Sequence, residues 1–191
     1  MEPGDAVVVR PMRPEDAAAV RRVQYEGWRD TYVHPEGLGV EQLEELWRPR
    51  LSPQGIADYA AQVRERASRP EMVQLVAQVD GAVVGSLNGG LPPDGPQEIR
   101  VLYVATGARG RGVGSALMEA FLAGADPARP VSLGVATFNE GANRFYRRYG
   151  FEEVPGSQTL WNGVLAEVTM TRPVREEKRA VGGWNRDAPA P

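Results

Sequence analysis

Residues 109–118 read Arg-Gly-Arg-Gly-Val-Gly-Ser-Ala-Leu-Met, a turn with glycine at alternate positions and two arginines that runs directly into an amphipathic helix. Before it lies the strand-like Ile99-Arg100-Val101-Leu102-Tyr103-Val104, so the chain must pass from strand to helix through one tight, cationic turn. Glycine lets the backbone turn its N–H groups inward with no Cβ in the way. The amides of a new helix's first turn also carry partial positive charge, so the run is built to hold a pyrophosphate. Neither standard nucleotide loop fits. Gly107 and Gly112 have the Walker spacing, but Val113 and Gly114 follow where Lys and Ser/Thr are needed. The dinucleotide fingerprint fails as well: Leu117 stands where Gly112-x-Gly114 would need its third glycine, and Ser115 where Gly110-x-Gly112 would.

What does fit is Arg109-x-x-Gly112-x-Gly114 behind its strand, which resembles the acyl-CoA motif of the GNAT superfamily of N-acyltransferases. A second match follows in order. Asn139-Glu140-Gly141-Ala142-Asn143-Arg144-Phe145-Tyr146-Arg147-Arg148-Tyr149-Gly150-Phe151 is similar to that family's N-x-x-A-x-x-hydrophobic-Tyr-x-basic-x-Gly-Phe signature. The resemblance is specific from about Gln97 to Phe151, which leaves the amino-terminal half to define the acceptor.

Composition narrows the rest. At 191 residues with 42% hydrophobic content, the chain suits one domain, read here as residues 1–171, with a charged, proline-bearing, aperiodic tail at 172–191. A net charge of −3 gives no broad cationic footprint for nucleic acid or an anionic membrane. With no cysteine and one histidine there is no thiol nucleophile and no metal-ligand cluster, so no metal is expected. No apolar run reaches the ~20 residues that span a bilayer, and the acidic Met1–Asp5 is unlike a signal peptide's start, so a cytoplasmic location is expected.

Pattern reading gives a strand at Val7–Arg10, a helix from Pro14 to Trp28 or Tyr32, a helical turn or two over Val40–Trp47, and a helix from Ser52-Pro53 to Ser68. Met72–Val79 and Ala82–Leu87 flank Asp80-Gly81, a two-residue hairpin turn. Further strands are read at Glu98–Val104, Val131–Val135, Glu152–Val154 and Ala166–Met170, with a helix at Gly141–Tyr149 and a turn near Trp161–Gly163. The fold class is therefore α/β. The resemblance makes it a mixed, mostly antiparallel sheet of six or seven strands with a central splayed parallel pair and about four helices.

The resemblance also implies an activity: direct transfer of an acetyl group from acetyl-CoA to a primary amine in a ternary complex. A non-catalytic acyl-CoA sensor on the same fold is the alternative. Arg109, Gly110, Arg111, Gly112, Val113, Gly114 and Ser115 would hold the phosphates, although two arginines on a turn are also what a solvated loop shows. Main-chain groups of Leu102, Tyr103 and Val104 would meet the pantetheine arm, and Asn139, Ala142, Phe145 and Tyr146 would line it. Tyr146 is the candidate general acid toward the departing thiolate, and Glu98 the candidate base for an amine whose ordinary pKa is about 10.4. Tyr146 is the first catalytic choice, with packing as its alternative; Glu98 reads as well as an exposed strand end, and Asn139 as a helix cap. Trp28, Tyr32 and His34 are candidates for the acceptor pocket, although aromatic residues at helical spacing are commonly core. Dimers are frequent in the family, and Trp161 and Trp184 are candidates for an interface.

Overall fold

The computed structural model describes residues 6–161 and 163–174. Its sheet contains β1 (Val8–Pro11), β2 (Met72–Val79), β3 (Ala82–Gly90), β4 (Gln97–Val104), β5 (Val131–Ala136), β6 (Glu152–Glu153), β7 (Thr159–Trp161) and β8 (Leu165–Arg172). The helices are α1 (Ala17–Tyr32), α2 (Val40–Leu51), α3 (Pro53–Ala67), α4 (Val113–Gly124) and α5 (Glu140–Arg148). The strand order is β1-β2-β3-β4-β5-β8-β6, with β7 paired on β8. Every pairing is antiparallel except β4 with β5.

Local chemistry explains most of these elements. Asp80 and Gly81 both take positive φ, 51° and 77°, the conformation that turns β2 into β3 within two residues. Ser52 accepts a hydrogen bond from the Gly55 amide and caps α3, with Pro53 in its first turn. Pro14–Asp16 forms a 3-10 turn rather than the first α-helical turn, and the Asp16 carboxylate accepts from the Arg13 amide before α1 begins.

Three sequence expectations change. The stretch from Val40 is a full 12-residue helix that runs through Pro49, because Leu43 and Trp47, one turn apart, are buried against α1. Residues 159–161 pair with β8 as a short strand, so the sheet gains β7 and has eight strands. Arg172 belongs to β8, opposite Val131, and its Nε donates to the Tyr149 carbonyl, so the strand read as Ala166–Met170 extends to Leu165–Arg172. The rest of the expected tail from 175 on, Trp184 and Met1–Asp5 lie outside the described residues.

The two faces of the sheet bury different cores. Val76 faces Val20, Tyr59 and Val63 of α1 and α3, while its neighbour Ala77 faces the cluster of α4 and α5 with Leu117, Phe121 and Tyr146. Among the described residues no helix is long and apolar enough to cross a membrane.

The feature that positions the site lies between β4 and β5. Their parallel register covers only Gln97 with Val131, Glu98 with Ser132 and Ile99 with Leu133. At that point β4 carries a bulge, because Asn88 faces Val101 and Gly89 faces Ile99, leaving Arg100 as the extra residue. The strands then part, and β5 fills its other edge with β8.

Candidate active site

Beyond Ile99 the β5-facing edge of β4 has no ladder partner, so main-chain groups of residues 100–104 face open space. A cleft of about 1020 Å³ passes through this gap and is walled from both faces of the sheet. It takes in Leu102, Tyr103 and Val104 of β4, the turn before α4, and Asn139, Ala142, Phe145 and Tyr146 around α5.

The turn before α4 has the geometry its composition predicts. Gly110 and Gly112 take φ of 76° and 81°, and Gly112 is the left-handed residue that starts α4. A Cβ there would cost about 1–2 kcal/mol in conformation alone. The first bond within α4 runs from the Ala116 amide to the Gly112 carbonyl, so the Val113, Gly114 and Ser115 amides stand ahead of it. Arg109 lines the cleft and sets its guanidinium 3.3 Å from Asp30 of α1, while Arg111 is exposed and outside the cleft wall. Asn139 caps α5 by accepting from the Ala142 amide at 3.0 Å, and it lines the cleft as well.

Three phenols meet at the gap. Tyr146 comes from α5, Tyr103 from β4 and Tyr32 from the end of α1, and the Tyr32 and Tyr103 hydroxyls are 3.4 Å apart. Burial raises the pKa of all three above the ordinary tyrosine value, with the neighbouring Tyr32 adding to the rise at Tyr146 and Tyr103. Each therefore stays protonated at neutral pH and serves as a proton or hydrogen-bond donor. The Tyr103 side chain is part of the wall, not only its backbone: α1 crosses it at Gly27, where an added Cβ would lie 2.6 Å from Cδ1 of the ring.

The aromatic cluster of α1 has a double role. Trp28 packs on Tyr32, Trp47 and Trp161 at centroid distances of 4.7, 5.8 and 5.2 Å, and Trp28, Tyr32 and Trp161 all line the cleft. Trp161 is thus committed to this wall. His34 is not brought to the cleft; it stacks on Phe138 with centroids 4.6 Å apart and accepts from the Glu36 amide through Nδ1.

Glu98 is not brought into the wall either. Its side chain is about half exposed and holds Arg100 Nε at 2.8 Å. The carboxylate that does line the cleft is Glu167 of β8, a residue the sequence reading passed over. Its Oε2 lies over Gly134, the first β5 residue beyond the parallel register, 3.4 Å from where a Cβ would stand. Burial raises its pKa above the usual glutamate value. Its signal in the sequence was one acid among the apolar residues of Leu165–Met170.

The sequence model of the Acetyltransferase (GNAT) family matches residues 40–151. No curated protein matches the chain. Among solved structures, PaiA N-acetyltransferase from Thermoplasma acidophilum, in complex with coenzyme A, superposes with a TM-score of 0.67 at 18% identity, over 86% of this chain and 98% of that one. Ard1 from Thermoplasma volcanium gives 0.61 at 27% identity, covering 90% and 99%. Mycobacterium smegmatis RimJ, in complex with CoA-disulfide, gives 0.66 at 20% identity, covering 88% and 82%.

Proposed function

The chain belongs to the acetyltransferase (GNAT) family, and on that premise we propose that it transfers an acetyl group from acetyl-CoA directly to a primary amine. The observation that carries this reading is the gap between β4 and β5, which joins a turn suited to phosphate on one face to an aromatic pocket with a half-buried carboxylate on the other. The residues present fit acetyl-CoA: the Val113, Gly114 and Ser115 amides, which precede the first bond of α4, suit a pyrophosphate, and the edge of β4 that parts from β5 suits the amides of a pantetheine arm. Acetyl-CoA supplies the activated thioester.

The chain's own groups divide the proton work. An ammonium with an ordinary pKa of about 10.4 must lose a proton before its lone pair can attack the thioester carbonyl. We assign that proton to Glu167, directly or through one water, because it is the carboxylate in the wall; Glu98, tied to Arg100, is the comparison. As the C–N bond forms and the C–S bond breaks, Tyr146 donates its phenolic hydrogen to the leaving sulfur, and the proton that the attacking nitrogen sheds restores the phenol, leaving the amide and the free thiol of CoA. Tyr103 and Tyr32 fix the width of the passage, and the acceptor lies against Trp28 and Tyr32 on the α1 face.

Calorimetric titration with acetyl-CoA, with ATP and NAD as controls, followed by amine-dependent thiol release, tests this reading. Saturable acetyl-CoA binding alone among the three, with release that needs an amine, is the expected result. Binding without turnover of any amine would favour the sensor alternative, and no binding would overturn both.

A further inference from the structure

On the α1 face the cleft continues away from the gap to a wall formed by Arg21 and Gln24 of α1, Arg50 of α2, Tyr59 and Arg66 of α3, and Asn88 of β3. Resting on the acetyltransferase reading above, we infer that this wall is a subsite for an anionic group on the acceptor, so that the substrate is a primary amine bearing a carboxylate or phosphate at its far end.

Three arginines converge there without carboxylate partners. Among the described residues, none of Arg21, Arg50 and Arg66 forms an ion pair. Arg21 is held in place by neutral groups: its guanidinium lies 4.0 Å above the Tyr59 ring and Nη1 donates to Gln24 Oε1 at 3.2 Å. Its Nε is buried with no hydrogen-bond partner. Burial lowers the Arg21 pKa and the nearby Arg50 and Arg66 lower it further, with Tyr59 offsetting part of the shift. A buried donor left unmade is costly, and an anionic group seated at this wall would complete it. Asn88 also lines this wall, but its unpartnered atom is an acceptor, so it adds polarity here and is no donor to an anion. It is only 8% exposed, its Nδ2 is 3.3 Å from the Tyr59 hydroxyl, and Oδ1 is unpartnered.

The lone carboxylate of the wall, Glu167, sits at the gap, so the acceptor's amine and its anion have separate, oppositely charged destinations. Two backbone positions on α1 give the scale of that separation. Gly27 lies against Tyr103 at the gap, and Arg21 is six residues earlier, about 9 Å of helix at 1.5 Å per residue. That span suits an ω-amino acid or an aminoalkyl phosphate rather than an α-amino acid. It disfavours polycationic acceptors, whose second ammonium would meet three guanidiniums.

The test is acetyl-CoA-dependent acetylation of 6-aminohexanoate, its carboxamide, an aminoalkyl phosphate of similar length and 1,6-diaminohexane. The acid or the phosphate should exceed the amide and the diamine at least 10-fold in kcat/KM, and the better of the two identifies the anion. In Arg21→Gln and Arg50→Gln that advantage should fall about 10-fold through KM, with acetyl-CoA affinity retained as proof of folding. Arg22→Gln, the same charge change on the exposed side of α1, should leave it unchanged. Acetyl-CoA binding with the amide or diamine preferred, with no acceptor of the panel acetylated, or with all three variants alike would overturn the inference. Loss of acetyl-CoA binding by the unmodified protein would instead overturn the acetyltransferase reading beneath it.

Discussion

On the α4/α5 face, the groups suited to phosphate are backbone amides and glycine turns within the single run Arg109–Ser115, whereas on the α1 face the polar wall is made of side chains from α1, α2, α3 and β3. The first region binds through conformation, and its chemistry would survive many changes of side chain. The second is set by which side chains three separate helices bring together, and one substitution alters it. Such a division suits a protein in which one substrate is shared across a family and the other is particular to the chain. It also tells the experimenter where each kind of variant should act.

The largest effect should come where the two regions meet. Tyr146→Phe removes the hydroxyl and keeps the ring packed on Phe145 and Phe151, so kcat should fall about 100- to 1,000-fold with acetyl-CoA affinity unchanged. Steady-state kinetics and calorimetry check this together, and an equal loss of affinity would make Tyr146 a packing residue. Next is Glu167→Gln, with an expected loss of about 10- to 100-fold. Only the ionised carboxylate accepts a proton, and burial raises its pKa, so kcat/KM should fall as pH drops through a value above the ordinary glutamate's ~4.3. That acidic limb should vanish in Glu167→Gln and persist in Glu98→Gln; the reverse pattern would return the role to Glu98.

A smaller change should confine itself to one face. Gly112→Ala forces a side chain into φ of 81°, a cost of about 1–2 kcal/mol, and should weaken acetyl-CoA binding roughly 10-fold with little change in the acceptor's KM. An equal loss for both substrates would erase the division between the faces.

The smallest effect on catalysis is expected at the outer end of the helical layer. Arg10 Nη1 and Nη2 bond the Asp16 carboxylate at 2.7 and 2.8 Å, and the Arg13 amide adds a third bond, so Asp16→Asn should cost about 2 kcal/mol of stability without changing activity per folded molecule. Arg10's hydrogen bonds hold the Asp16 pKa below the usual carboxylate value. The contribution is therefore complete above the unfolded value near pH 4 and disappears as pH falls through the depressed folded one. Urea titrations of the two proteins across that window give the difference directly.

How much of this was legible depends on the same contrast. The turn at Arg109–Ser115, the Asn139 cap and the Asp80-Gly81 hairpin were readable because each rests on a local rule, a positive φ or a side chain reaching the amide three residues on. Arg21 falls on one helical stripe with Trp28 and Tyr32, and that spacing was the available sign that the acceptor wall extends beyond the aromatic residues. Nothing local marks Arg50, Arg66 or Asn88 as its partners. The 12-residue length of α2 was hidden by Pro49, whose local penalty is outweighed by burying Leu43 and Trp47.

By itself, then, the sequence determined the strand-turn-helix unit that suits phosphate and the order of the elements after it apart from β7, and its family resemblance marked Tyr146 as the candidate acid. The tertiary structure alone decided that β4 and β5 separate after Ile99, that Glu167 rather than Glu98 stands in the opening, and that three arginines with no carboxylate partner among the described residues share its far wall. The reason is physical: backbone conformation is set within a few residues, whereas a side chain's neighbours, its burial and its pKa depend on elements far apart in the chain that only folding brings into contact.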